Sequence, residues 1–204
     1  MKRFGLVSIV LSFLLFNSFK IATDDTGFLS VVDQAAIKFS RPANTTETKV
    51  VTNDELNYQY ALVDTVSKIE IRYLVYPLQD LIKKYSGSHA DTGQPLIDPN
   101  MIHTNLLLIY SYRIQDKELN IQQTMPEVHE IPHGTVDQEF NADWAAEVTV
   151  QPCDEFGQKY KYCTMFAMHK ENTADAFIMY LYNNKDTYTE LVKPDYHSLV
   201  FKKK

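Results

Sequence analysis

Ala174-Asp175-Ala176-Phe177-Ile178-Met179-Tyr180-Leu181-Tyr182 is the stretch on which the fold turns. Ala176, Ile178 and Tyr180 alternate with Phe177, Met179 and Leu181, so a strand here is apolar on both faces. Such a strand needs cover on both sides. Upstream, residues 144–150 and 159–169 read as two further strands. Asp154-Glu155-Phe156-Gly157 turns between them, and Lys170-Glu171-Asn172-Thr173 turns into the quoted stretch. Downstream, residues 186–192 read as a short helix and 196–201 as a closing strand. The C-terminal third is therefore expected to be an antiparallel β block.

The N-terminal half repeats the alternation. Tyr58, Tyr60 and Leu62 share one face, residues 64–68 turn, and Ile69, Ile71, Tyr73 and Val75 share a face of the next strand. The other face of that second strand carries Glu70 and Arg72, then Leu74 and Tyr76, and Pro77 stops it. Residues 78–85 read as a short helix and 86–95 as a loop rich in Gly, Ser and Asp. The best helix signal follows: Asp98 is a fair N-cap, Pro99 sits at the first helical position, and Ile102, Leu106, Ile109 and Arg113 keep helical spacing to about Gln115. Residues 35–39 suggest a short strand ended by Arg41-Pro42, before a polar loop over 43–48 that contains the sequon Asn44-Thr45-Thr46.

The start of the chain has the pattern of an export signal. Lys2 and Arg3 precede an apolar run over 4–16, too short for a comfortable membrane span. Residues 1–22 are expected to be a signal peptide cleaved near Ala22, although Lys20 spoils the small-x-small pattern there and leaves an uncleaved N-terminal anchor as the alternative. Residues 23–34 read as a flexible segment, and 35–204 as one α+β domain. A chain of 204 residues, 45% hydrophobic and 23% charged, can bury one proper core. The net charge of −6 argues against a nucleic-acid partner, because phosphate contacts need clustered Lys and Arg. The expected location is periplasmic or secreted, where Cys153 and Cys163 suit one disulfide across the Asp154–Gly157 turn, stabilising by about 2–3 kcal/mol. Two reduced, hydrophobic thiols are the alternative.

One stretch spells a catalytic pattern. His129-Glu130-Ile131-Pro132-His133 satisfies H-E-x-x-H, in which two histidines one helical turn apart hold zinc and the Glu polarises its water. Pro132 opposes the helix this chemistry needs: it lacks the N–H and clashes one turn back, costing about 3 kcal/mol in a helix interior. A helix beginning near Ile131 would tolerate Pro132 but leave His129 outside. A polar connecting loop is therefore favoured over a zinc hydrolase or an adventitious metal contact at His129, Glu130 and His133. The remaining histidines do not recur at metal spacing: His103 lies early in the long helix and His169 ends a strand, with His89 and His197 in loop or edge contexts. No nucleophile-elbow pattern accompanies any Ser, and six glycines form no phosphate-cradling loop. The thirteen tyrosines suit sheet packing better than a binding cleft.

The order of elements, with the phrases Phe140-Asn141-Ala142-Asp143-Trp144-Ala145-Ala146, Phe156-Gly157-Gln158-Lys159-Tyr160-Lys161-Tyr162, the run from Met168 to Leu181 and Tyr196-His197-Ser198-Leu199-Val200-Phe201, resembles small exported bacterial proteins with a PsbP-like fold. That α-β-α sandwich is shared by a photosystem accessory protein and a Ran-binding nuclear transport factor. The resemblance implies an antiparallel sheet covered by helices on both faces, and an accessory or binding role without catalysis or cofactor. It transfers no functional residue, because the acidic and metal-contacting positions of the plant protein have no counterpart here. The expected function is thus an exported, non-catalytic binding protein for a protein partner or small ligand, touching a membrane only through an uncleaved N-terminal segment. A metal-dependent hydrolase using HEIPH and a periplasmic carrier of an apolar ligand, held between the sheet and the long helix, are the alternatives.

Overall fold

The computed structural model describes residues 25–51, 56–88, 97–117, 125–186 and 193–203. The expected signal peptide lies outside them, as do most of the 86–95 loop and most of the expected 186–192 helix. In chain order the elements are α1 (Asp25–Gln34), β1 (Ile37–Phe39), β2 (Thr45–Glu47), β3 (Tyr60–Asp64), β4 (Glu70–Pro77) and α2 (Gln79–Ser88). A 3-10 turn (Pro99–Met101) then leads into α3 (His103–Ile114), β5 (Val128–Glu130), α4 (His133–Phe140), β6 (Trp144–Val150) and the single turn α5 (Asp154–Gly157). The chain closes with β7 (Tyr162–Lys170), β8 (Ala174–Tyr182), a 3-10 helix (Lys193–Ser198) and β9 (Leu199–Phe201).

Seven strands form one antiparallel sheet in the order β2-β3-β4-β8-β7-β6-β5. β8, the two-sided apolar stretch, lies at its centre between β4 and β7, and every residue in it is buried. Both of its faces are covered. Ala176, Ile178 and Tyr180 face a layer made by α1, α4 and the β1–β9 ribbon, including Phe28, Val32, Val136, Phe140, Leu199 and Phe201. Phe177, Met179 and Leu181 face a layer made by α3 and α5, including Ile102, Leu106, Leu107, Tyr110 and Phe156. This is the α+β sheet covered by helices on both faces that the alternation predicts. No helix among the described residues is long and apolar enough to cross a membrane.

Four expectations need correction. Residues 23–34 are not a flexible segment as far as they are described: 25–34 form α1, because Phe28, Val32 and Ala35 recur at i, i+4 and i+7 and are buried together. Phe28 stacks on Tyr60 at 4.8 Å and meets Phe39 edge-on at 5.2 Å, so the domain includes this helix. Ala36, at φ 51°, then turns the chain into β1, which pairs with β9 near the other end of the chain. The second correction is the region before β6, where β5 and α4 replace a loop. Third, the long helix is interrupted: Asp98 caps the 3-10 turn by accepting from the Asn100 N–H, and α3 proper begins at His103. Last, Tyr58 does not share a face with Tyr60. Gln59 sits between them with its side-chain amide bonded to both the N–H and C=O of Val75, and Tyr58 packs in the α3 layer instead.

The cysteines also depart from expectation. Cys153 and Cys163 carry free thiols. Val150, three residues before Cys153, is the register partner of Cys163. The connection is not a tight turn but the α5 helical turn, so Cys153 is not the cross-strand neighbour of Cys163 that the expected hairpin would have made it.

Candidate functional site

The HEIPH stretch divides between two elements. His129 and Glu130 belong to the edge strand β5, and Pro132 is the N-cap of α4, with His133 its first residue. Pro132 thus occupies the place where its missing N–H costs little. Successive strand residues point to opposite faces: Glu130 is level with Ala146, which faces α3, whereas His129 is level with Glu147 on the other side. His129 is 60% exposed and His133 is exposed as well. The three do not assemble a zinc-hydrolase site.

A different group does converge. Antiparallel register places Tyr76 of β4, Asp175 of β8, His169 of β7 and Trp144 of β6 in one row across the sheet, all on the face that α3 covers. The β7–β8 connection sets this row. Glu171-Asn172-Thr173 is a three-residue turn with Asn172 at φ 56°, a left-handed position that Asn tolerates, and it pairs His169 directly with Asp175. His169 Nδ1 lies 2.7 Å from Asp175 Oδ1, with both side chains buried. His103, at the start of α3, lays its ring on that of His169, with centroids 4.1 Å apart and planes at 17°, and touches Trp144 at 4.7 Å. Asn100 helps seat this end of α3 on the hairpin: its Oδ1 accepts from the Asn172 N–H and its Nδ2 donates to Asn172 Oδ1.

The hydrogen bonds restrict the protonation states. His103 Nδ1 lies 2.9 Å from the Asn100 carbonyl oxygen. A carbonyl only accepts, so Nδ1 carries the proton and the lone pair of the neutral ring is on Nε2. Burial, followed by the charge of His169, holds His103 below the usual histidine range, with Asp175, Asn100 and Glu130 opposing. Asp175 is pushed up by burial, against the hydrogen bond and charge of His169. Its second oxygen, Oδ2, is buried without a hydrogen-bond partner among the described residues. Asp175 also lines a crevice between the sheet and the start of α3, bounded by Tyr76, Leu81, Ile102 and Tyr110, with room for about one water molecule. Glu130 Oε1 accepts from Trp144 Nε1 at 3.4 Å, making it the one catalytic-pattern residue of HEIPH that reaches the rim of this site.

Sequence spacing could not assemble this group, because His103 and His169 are 66 positions apart and belong to unlike elements. One part was legible. An Asp in a central, two-sided strand requires a partner, but which one was not legible. The expected four-residue turn over 170–173 would set His169 opposite Ala174, and the observed three-residue turn, with Lys170 paired to Ala174, sets it opposite Asp175. Compared with protein-family models and with curated proteins, the sequence matches none of them.

Proposed function

We propose that this protein is an exported, non-catalytic binding protein, and that it meets its ligand at the corner formed by Trp144, His103, His169 and Asp175. The observation that carries the reading is Asp175 Oδ2, which has no partner among the described residues. An unsatisfied buried polar group costs about 1–3 kcal/mol, and a charged one more, so a fold that retains it gains where a ligand supplies the missing contact. His103 and Trp144 are only half-buried and offer a way in. Export follows from the Lys2-Arg3 and 4–16 pattern. The crevice beside α3, with room for about one water molecule, lends the carrier reading no support.

The test is thermal denaturation of the wild type and Asp175→Asn against amines, amino acids, short peptides and metal ions. At least one class should raise the wild-type midpoint and leave Asp175→Asn unmoved. Equal responses of the two proteins to every class, or none at all, would refute the corner as a binding site. Cell fractionation tests export separately, with a cytoplasmic pool alone refuting it.

A further inference from the structure

We propose that His103, His169 and Asp175 form a binding site for one borderline divalent metal ion of the Zn2+ type. This rests on the reading of the same corner as a binding site and names its ligand class.

The three residues come from three elements, α3, β7 and β8, and one donor atom from each lies within 4.8 Å of the others. Donors around a tetrahedral zinc at about 2.0–2.1 Å lie roughly 3.3 Å apart, so binding requires side-chain adjustment of about an ångström rather than a new backbone. His103, half-buried at the first position of α3, is the least enclosed of the three donors.

The donor set suits the ion. Two imidazoles and one carboxylate are the ligands of many zinc sites that keep a fourth position open, whereas magnesium and calcium prefer oxygen. The support beyond the ligands also fits. Metal-bound histidines usually give their other ring N–H to a carbonyl or carboxylate, which fixes the tautomer and the ring plane. His103 does so to the Asn100 carbonyl, which leaves Nε2 as its donor. Asp175, one of the three donors, contributes the second, independent observation: a buried carboxylate oxygen without a partner among the described residues. A wholly structural His169–Asp175 pair accounts for Oδ1 and explains neither Oδ2 nor the second imidazole stacked on the first. Binding conserves charge and atoms simply: the ion displaces a proton wherever the donor nitrogen or oxygen carries one, and that proton passes to solvent or to the ring's other nitrogen.

The experiment uses untagged protein stripped with chelator and then titrated with Zn2+, with Co2+ as a spectroscopic probe and Mg2+ as a control. The expected result is one Zn2+ per chain, a rise in midpoint of about 5–10 °C at a hundredfold excess over Kd, visible d–d bands with Co2+, and no response to Mg2+. Asp175→Asn and His103→Gln should each weaken Zn2+ at least tenfold, while His129→Ala/His133→Ala retains it. His103→Gln, at a half-buried helix start, keeps the test decisive if Asp175→Asn does not fold. Undiminished binding in His103→Gln, loss of binding in the HEIPH double variant, or no binding at all would overturn the metal site. In the last case, an Asp175-dependent response to an amine or peptide would show that the corner binds a different ligand, whereas no response to any class would sink both readings.

Discussion

Arg72 lies wholly buried in the α3 layer, an unusual place for a guanidinium, and its removal gives a sharp test of how that layer is held. Its Nε donates to Glu70 Oε1 at 2.7 Å, its Nη1 donates to the Phe156 carbonyl at 2.7 Å, and its centre lies 4.8 and 4.6 Å from the ring centroids of Tyr58 and Phe156. Arg72→Met keeps most of the stem volume and leaves Glu70, whose side chain is 8% exposed, without its partner. Stranding one member of a buried pair costs about 3–5 kcal/mol. The lost cation–π contacts, worth up to about 2 kcal/mol when desolvated, are partly replaced by sulfur–aromatic contacts, so the net expectation stays at about 3–5 kcal/mol. With a urea slope of about 2–3 kcal/mol/M for a chain of this size, the midpoint should fall by about 1–2 M at unchanged slope. Replacing both charges, Glu70→Leu with Arg72→Met, removes the stranded ion and leaves mainly the Phe156 carbonyl wanting a donor. That double variant should lie within about 1–2 kcal/mol of wild type. Urea denaturation followed by far-UV circular dichroism measures all three. A single variant that loses less than about 1 kcal/mol, or a double variant as unstable as the single, would refute the argument that desolvation of Glu70 dominates.

Other substitutions probe the corrected parts of the fold. Phe28→Ala should cost about 3–5 kcal/mol in the same assay, because the ring is fully buried against Phe39, Tyr60 and Tyr73; a loss under 1 kcal/mol would return residues 25–34 to a loosely attached segment. Gly157→Ala should destabilise by about 1–3 kcal/mol, since a Cβ there would meet Pro152 Cγ at 2.6 Å, and a neutral result would mean that the α5 turn shifts freely. Burial pushes the Cys163 thiol up to about 12, with Arg72 opposing, so at pH 8 almost none of it is thiolate. Iodoacetamide at pH 8 should therefore label half-buried Cys153 and spare Cys163 until the chain is denatured, with intact-mass spectrometry counting the adducts. A 153–163 crosslink in peptide maps of the native protein would contradict the free thiols.

Much of the architecture follows from local pattern. β6 and β8 have the bounds that alternation and turn residues indicate, and the β3–β4 hairpin turns at the expected place, with Lys68 at φ 63°. These are properties of the period-2 pleat and of short-range turn chemistry, so neighbouring residues suffice to specify them. The interruption at Ile102, the one-turn α5 and the opposed faces of Tyr58 and Tyr60 depend on what each segment packs against, which no local window contains. α1 illustrates the boundary: Phe28, Val32 and Ala35 are helically spaced in plain sight, yet a short helix is marginal by itself and acquires stability only from the aromatic layer it covers.

The candidate site divides the same way. Pro132 correctly argues against a catalytic helix at HEIPH from sequence, because the steric demand of proline is local. The sequence by itself determined a two-sided central strand, its covering layers and a short turn between His169 and that strand. Only the tertiary structure decided that His169 pairs with Asp175, that α3 brings His103 onto that pair and that Asp175 Oδ2 is left without a partner among the described residues. The reason is physical: strand alternation is set by neighbouring residues, whereas one residue more or less in a turn resets a hairpin's register, and the docking of a helix on a sheet is fixed by the shape of the whole apolar layer between them.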